Sequence, residues 1–510
     1  MRLLTSEQAH FLDKVTIDEL KIQTSVLMTN AGQAIAAQAK EMITEFSNPK
    51  ILIFCGKGNN GGDGYAAASI LHHEGYSVSI YSIVEENDIK GDSLPFYWDC
   101  MSLGIHDYFG EDLKRLEDAD LIIDGLLGIG LKGHVRHNLR PILNWINASE
   151  SKVLSIDIPS GLDCNAGIYE PMSVKANVTL AFGLPKIGMY LRQGPESCGD
   201  IIVKDIGFPS LDMVDLPGLE WTFNEKKNIQ EHFFKPRNDM NKYSAGKVLI
   251  IAGSRGMTGA AILSTYGALR SGAGLTITTS PSSLNEIYER SIIEGMTLPL
   301  DDKNIGILGY EHFDMIMEKV EWADTVLLGP GLGRHQSTQR LIKELFISIE
   351  KPLVLDADGL FPFSGDIGKL SQREHPLVIT PHFGEFSRLI GQDKEKIISE
   401  FPRFMTEFME KFDQTLLVKQ VPVCIAKGND IGINVTGNPG LATAGTGDVL
   451  AGMISSFVAQ GFNCHDSASM GAHVHGMAAD HLVSEKGFRG QIASDLLQII
   501  PEVISSYEKS

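Results

Sequence analysis

Asp448 stands in the run Asn438–Ile454, NPGLATAGTGDVLAGMI, with Gly445 and Gly447 before it and an apolar helical segment after it. This spacing suits phosphate chemistry. The glycines let backbone approach an anion closely, and the first N–H groups of the helix, which lack intrahelical partners, favour phosphate together with the helix dipole. A carboxylate beside a polyphosphate weakens binding unless it has a task, and taking the proton of a hydroxyl that attacks phosphorus is such a task. The plainer alternative is a first-turn acid stabilised by the helix dipole by about 0.3–1 kcal/mol. Lys419 ends an apolar run and could meet a polyphosphate as a point charge. His382, in TPHFGE, could be a structural histidine or a substrate contact.

A second set of chemical residues lies upstream. GKGNNGGDGYAAA, residues 56–68, follows an apolar run and opens a helical one. It is neither a GxGxxG dinucleotide fingerprint nor a P-loop, because no GK[ST] closes it. Asn59, Asn60 and Asp63 can hydrogen-bond a sugar or coordinate a cation through oxygen. Asp124 in LIIDGLLGIGLKGH and Asp157 in LSIDIPSGLD each end an apolar strand before a glycine-containing loop. Asp124 with Asn60 and Ser160 makes a hard oxygen environment, suited to an alkali or alkaline-earth cation. Asp157 lacks an obvious basic partner nearby in sequence and is the better candidate for acid/base work.

These residues need elements to hold them. Short apolar runs alternate with helical segments from Lys50 onward: Ile51–Phe54, Ser77–Ser82, Leu121–Ile123 and Val153–Ile156 in the first half. Lys247–Ala252, Leu275–Thr279, Thr325–Leu328, Leu353–Leu355, Leu377–Thr380, Thr415–Val418 and Cys424–Ala426 follow in the second. That alternation predicts α/β architecture with two doubly wound domains, whose ligands sit at the carboxyl ends of the strands. Helices are predicted at Ile17–Met28, Ala34–Ile43, Gly259–Ser271 and Asp448–Gln460, with a linker around Pro217–Lys227. A chain of 510 residues is long enough for two such domains. Its formal charge of −20 argues against nucleic acid or an anionic membrane as partner. The six cysteines show no CxxC spacing, and no signal peptide or membrane-length apolar run is legible, so a cytoplasmic protein with reduced thiols is expected.

Together the two halves resemble the bifunctional NAD(P)H-hydrate repair enzymes, over nearly the whole chain. NAGQA, GKGNNGGDG, DGLLGIGLKG, SIDIPSGL and PKIG are similar to the successive motifs of the epimerase half. GPGLG, DADGL, TPHFGE and NPGLATAGTGDVLAG come in the order of the ribokinase-like dehydratase half. The resemblance implies a Rossmann-like epimerase domain at 1–222 and a ribokinase-like, ADP-dependent dehydratase domain at 223–510. It implies that Asn59, Asn60, Gly61, Gly62, Asp63, Gly128, Ile129, Gly130, Leu131, Lys132, Gly133, His134 and Asp157 contact hydrated NADH or NADPH. Asn60, Asp124 and Ser160 would hold K⁺, and Asp157 would assist inversion at the hydrated ring carbon. In the other half Ala260, Gly331, Gly333, His382 and Asp448 match substrate positions, and Lys419, Gln420, Val421, Pro422, Val423, Gly445, Thr446 and Gly447 match the ADP site. Phosphorylation of the hydrate's hydroxyl by Mg²⁺–ADP, then loss of phosphate, would regenerate the reduced nucleotide without an organic cofactor. ADP is expected as donor because a fused chain resembles the bacterial type, and both halves resemble domains that form homo-oligomers. The family usually has glycine directly after the lysine of the ADP strand; here Gln420, Val421 and Pro422 follow, which restricts backbone approach to the nucleotide.

Overall fold

Strand runs such as KILIFC and VLSI are apolar on both faces, as strands must be when helices cover a sheet on either side. A computed structural model describes residues 1–508 apart from Lys90, Lys132, 224–228 and Phe234. Two compact units result, one built on Arg2–Gly218 and the other on Leu219–Ile398 with Arg403–Ser510.

The first unit begins with a short strand, β1 (Arg2–Leu3), followed by β2 (Lys50–Cys55), β3 (Ser77–Ser82), β4 (His106–Asp107), β5 (Leu121–Gly125), β6 (Lys152–Ile156), β7 (Val178–Phe182) and β8 (Asp200–Lys204). Its sheet has the order β4-β3-β2-β5-β6-β7-β8, and every pairing is parallel. The winding reverses between β2 and β5, where a doubly wound sheet opens its ligand crevice. Ile53, Ile123, Leu154 and Leu180 form the core with Ala31, Ile35 and Ala67 of the helices Thr24–Met42 and Asn59–His73. The helix expected over Ile17–Met28 does not form as one piece. A π-helical turn, Val15–Glu19, ends there, and Lys21 at φ +58° turns the chain before the helix Thr24–Met42 begins.

The second unit contains β9 (Glu220–Phe223), β10 (Lys247–Ile251), β11 (Leu275–Pro281), β12 (Met296–Leu300), β13 (Thr325–Leu328), β14 (Leu353–Leu355), β15 (Leu377–Ile379), β16 (Thr415–Val418), β17 (Val423–Lys427) and β18 (Asp430–Asn434). From β9 the sheet runs β9-β18-β17-β16-β15-β14-β13-β10-β11-β12. It is parallel from β16 through β12, while β16–β17 and β17–β18 are antiparallel hairpins. Part of the expected linker is therefore a strand: β9 pairs with β18, and Trp221 and Phe223 are buried on alternate positions. Strands β4, β7, β8, β12 and β18 also lie outside the runs assigned from sequence; β4 has two residues, and β12 contains a proline.

Two helices at the second rim cross closely. A Cβ at Gly452 would lie 2.1 Å from Ser264 O, and one at Gly267 would lie 2.4 Å from Val449 O. Only glycine permits this approach between the helices Thr446–Ala459 and Thr258–Arg270, and the contact fixes where the Thr446 end points.

Candidate functional site

Each unit carries a cluster of acids around one lysine at the carboxyl ends of its strands, buried in the first and half-buried in the second. In the first unit the helix Asn59–His73 starts at the switch point after β2. The Asn60 side-chain amide donates to Leu127 O at 3.1 Å and Ile156 O at 2.9 Å, tying the helix start to the loops after β5 and β6. Gly61 is needed for packing, since its Cβ would stand 1.9 Å from Gly56 O. Asp124 is fully buried. Its Oδ2 accepts from Ser155 Oγ and from Ser160 N, both at 2.9 Å, and its Oδ1 accepts from Ser160 Oγ at 2.5 Å and Leu126 N at 3.3 Å. Burial raises this carboxyl and the four donors pull it back. All of these bonded partners are neutral.

A cavity of about 150 Å³ opens above, lined by Asp13, Asn59, Asn60, Asp63, Asp157 and Lys186, with Leu12, Ile129, Phe182 and Phe208 among its apolar walls. Asp157 sits at φ +63°, and its Oδ1 accepts from Phe182 N at 3.1 Å and from the Lys186 ammonium. The expectation that Asp157 lacks a basic partner is thus corrected. Lys186, 29 residues on in the PKIG run, is brought against it by the loop after β7 and is 3% exposed. One ammonium cannot balance three carboxylates. Burial, then Asp157, pushes Asp13 up to about 6, with Lys186 and His10 opposing. Burial, followed by Asp157 and Asp13, holds Asp63 well above the carboxylate range.

Not all of the expected contact residues reach this cavity. Asn59, Asn60, Asp63, Ile129 and Asp157 line it. Gly62 packs against Met28, and a Cβ at Gly128 would lie 2.7 Å from Asn60 Oδ1. Gly130, Gly133 and His134 are exposed, Leu131 is half-buried, and His134 faces Glu170 at 3.3 Å. Lys132 lies outside the described residues. Asp124 and Ser160 form the layer beneath.

In the second unit Lys419 leaves β16, and its Nζ donates to Asp356 Oδ1 at 2.6 Å. Thr380 Oγ1 donates to the same oxygen at 2.8 Å. Asp356 Oδ2 is buried and has no hydrogen-bond partner among the described residues. Burial lowers the Lys419 ammonium, but Asp356, Glu385 and Asp448 outweigh it and the net shift is upward. A Cβ at Gly447 would lie 3.1 Å from Lys419 Nζ, so the ammonium stands at the N-terminus of the helix Thr446–Ala459. Asp448, in the first turn, is pushed up to about 7, chiefly by burial and then by Asp356, with Lys419 opposing.

His382 caps the helix Phe383–Ile390. Its Nδ1 accepts from Gly384 N at 3.0 Å and Glu385 N at 3.3 Å, which places the proton of the neutral ring on Nε2. Burial, then Lys419, lowers its pKa and favours that neutral form. Ala260 packs where a Cβ on Gly331 would meet it at 2.8 Å, and Gly333 N donates to Asp358 Oδ2 at 2.9 Å. Gly445 takes φ +91° at the helix N-cap, and the Thr446 hydroxyl donates to Leu441 O and Thr443 O, both at 3.0 Å. Gln420, Val421 and Pro422 form the turn into Val423 of β17, with Val421 56% exposed.

Residues the sequence reading did not single out include Asp13, Lys186, Asp356, Thr380, Glu385 and Asp358. Lys186, Asp356, Thr380, Glu385 and Asp358 stand in runs whose pattern was visible, PKIG, DADGL and TPHFGE. Asp13 had no signal, being one acid in a short amphipathic helix.

Comparison with known proteins places the two units in two families. Residues 24–188 match the family described as YjeF-related protein N-terminus, and residues 248–502 match NAD(P)H-hydrate dehydratase. A bifunctional NAD(P)H-hydrate repair enzyme of Moorella thermoacetica is 33% identical over 533 residues, covering 100% of this chain and 98% of its own. One of Dictyoglomus turgidum is 33% identical over 510 residues, covering 99% and 98%. Among solved structures, an ADP/ATP-dependent NAD(P)H-hydrate dehydratase of Bacillus subtilis, co-crystallised with ATP and Mg²⁺, is 25% identical and has a TM-score of 0.48. It covers 56% of this chain and 98% of its own.

Proposed function

The chain belongs to the bifunctional NAD(P)H-hydrate repair enzymes, which join an epimerase to a dehydratase, and from that premise we propose how its residues divide the work. Residues 1–222 interconvert the R and S forms of hydrated NADH or NADPH. Residues 223–510 return the S form to the reduced nucleotide with ADP, giving AMP and phosphate. The observation that carries the second assignment is Asp448: a carboxyl poised at about 7, in the first turn of a glycine-opened helix, beside the Lys419 ammonium. Asp448 takes the proton of the hydrate's hydroxyl as it attacks the β-phosphate of ADP, while the helix N–H groups and Lys419 stabilise the transferring phosphoryl group. Neutral His382, whose Nε2 faces Glu385 Oε1 at 3.4 Å, lies beside the site without adding charge near Lys419.

Mg²⁺ would bind with the nucleotide and neutralise phosphate charge. Asp356 Oδ2, without a hydrogen-bond partner among the described residues, fits a role in holding it through its waters. In the first unit Asn60, Asp124 and Ser160 would hold K⁺. The Asp124 carboxylate, the Ser160 hydroxyl and the Asn60 amide oxygen are hard donors, and a buried carboxylate that meets only neutral partners suits a monovalent cation. Asp157 works in the cavity above it.

Among the described residues no helix is long and apolar enough to cross a membrane, and all six cysteines are buried and free. The free thiols support the cytoplasm as its compartment, and both units are assigned to a homo-oligomer. The test is recovery of reduced-nicotinamide absorbance from a mixture of both hydrate epimers with ADP and Mg²⁺. Complete recovery is expected. Recovery of the S form alone would remove the epimerase assignment, and none at all would remove both.

A further inference from the structure

The cavity of the first unit holds a carboxyl group that none of the matched motifs includes. Asp13 lies on the helix Ser6–Lys14, whose start is fixed by a reciprocal cap: Gln8 N donates to Thr5 Oγ1 at 3.1 Å and Thr5 N donates to Gln8 Oε1 at 3.0 Å. Ser6 N donates to Asn165 Oδ1 at 2.7 Å, and Gln8 Nε2 donates to Pro217 O at 2.8 Å. The π-helical turn Val15–Glu19 begins two residues after Asp13, an irregularity that often accompanies functional sites. The Asp13 side chain is thus held in place by its helix, yet among the described residues its carboxyl has no hydrogen-bond partner and faces the cavity.

Its neighbours divide the chemistry. Asp157 is already engaged, accepting from the Lys186 ammonium and from Phe182 N. Burial, followed by Asp157 and Asp13, raises the Asp63 carboxyl. Asp13, facing Asp157, Lys186 and His10, is pushed up to about 6, close enough to neutrality to lose and regain a proton in turn.

We propose that Asp13 is the second proton-transfer residue of the epimerase cavity, working with Asp157 across the hydrated ring. The proposal rests on the epimerase reading of this unit. Water adds to an enamine so that the hydroxyl lies on the carbon bonded to nitrogen, making a hemiaminal. The Asp157 carboxylate takes the hydroxyl proton, the O–H electron pair forms the aldehyde C=O, and the carbon–nitrogen bond breaks. Its electron pair takes the Asp13 carboxyl proton at the ring nitrogen. Rotation turns the other aldehyde face inward, the nitrogen attacks it and returns its proton to Asp13, and Asp157 gives its proton back to the oxygen. Nothing is oxidised, and both acids end as they began.

Epimer interconversion is followed without ADP, by separating the two hydrates, for the full chain and for Asp13→Asn, with spontaneous epimerisation subtracted. Dehydration of purified S hydrate with ADP serves as the internal control. Asp13→Asn is expected to lower the interconversion kcat by ~10²-fold or more, with KM within about 2-fold and S-hydrate dehydration unchanged. Asp13→Glu should restore part of the rate. Interconversion within about 2-fold of the parent chain, or a loss confined to KM, overturns the proposal. If the asparagine variant does not fold, Asp13→Glu decides: a lower kcat at unchanged KM supports the role, and an unchanged kcat removes it. A parent chain that cannot interconvert the epimers would remove the epimerase reading instead.

Discussion

The two sites share one electrostatic plan and differ in which acid it leaves free. In each unit a lysine pairs with an aspartate that follows a strand, the buried Lys186 with Asp157 and the half-buried Lys419 with Asp356. In each, another carboxyl left without that partner is raised towards neutrality, Asp13 to about 6 and Asp448 to about 7. The sequence reading picks the paired acid in the first site, Asp157, and the unpaired one in the second, Asp448. Pairing holds a charge in place, whereas lack of pairing lets a proton move. The surroundings of the lysines differ as well: Lys186 bonds to Asp157 and Phe182 O, while Lys419 is favoured by Asp356, Glu385 and Asp448 together.

The largest effect should come from the unpaired acid of the second site. Asp448→Asn is expected to reduce ADP-dependent recovery from S hydrate by about 10³-fold or more while calorimetry still detects nucleotide binding. Retained activity would break the rule drawn from the two lysines. Asp157→Ala removes the carboxylate that the buried Lys186 ammonium bonds to and should cost about 3–5 kcal/mol in denaturant unfolding, with Lys186→Met in the same chain recovering much of it. Asp356→Ala should cost less, because the Lys419 side chain is 18% exposed and water can reach it, against 3% for Lys186; equal losses would erase the distinction between the two clusters.

The glycines of the two loops sharpen it further. Gly61→Ala places a methyl 1.9 Å from the Gly56 carbonyl oxygen, a backbone atom. Overpacking of this kind costs about 1–3 kcal/mol, read as a lower unfolding midpoint. Gly447→Ala meets only the flexible end of Lys419; stability should stay within about 0.5 kcal/mol, with the KM for ADP rising. The smallest effect is on pH dependence. Asp448 is raised in the folded state, so its contribution to stability is present below its unfolded value and fades as pH rises through about 7. Asp448→Asn should therefore melt about 2 °C above the parent chain at alkaline pH, the gap closing towards pH ~4. Dehydration by the parent chain should rise across the same range, because the base must be ionised.

Much of both folds was legible because parallel strands covered on two faces leave short, continuous apolar runs. Thr325–Leu328 and Leu353–Leu355 form strands within the bounds read from sequence. Boundaries slipped where the signal was local but the outcome was not. Lys21 breaks a helical period by adopting φ +58°, and Glu220–Phe223 becomes a strand because β18 is there to pair with it. The candidate site divides the same way. GNNGGD and GTGD announce themselves by their glycines, Gly61 at a close approach of backbone and Gly445 at φ +91°, whereas Asp13 carries no mark in its own neighbourhood.

By itself the sequence determined the two α/β units, the loops at their strand ends and the family, because glycine spacing and strand periodicity are local properties of the chain. Tertiary structure alone decided which acids meet which lysines. Lys186 reaches Asp157 across 29 residues and Lys419 reaches Asp356 across 63, contacts set by parallel strand order. Protonation follows from those contacts and from burial, both of which depend on distance in space and not on separation along the chain.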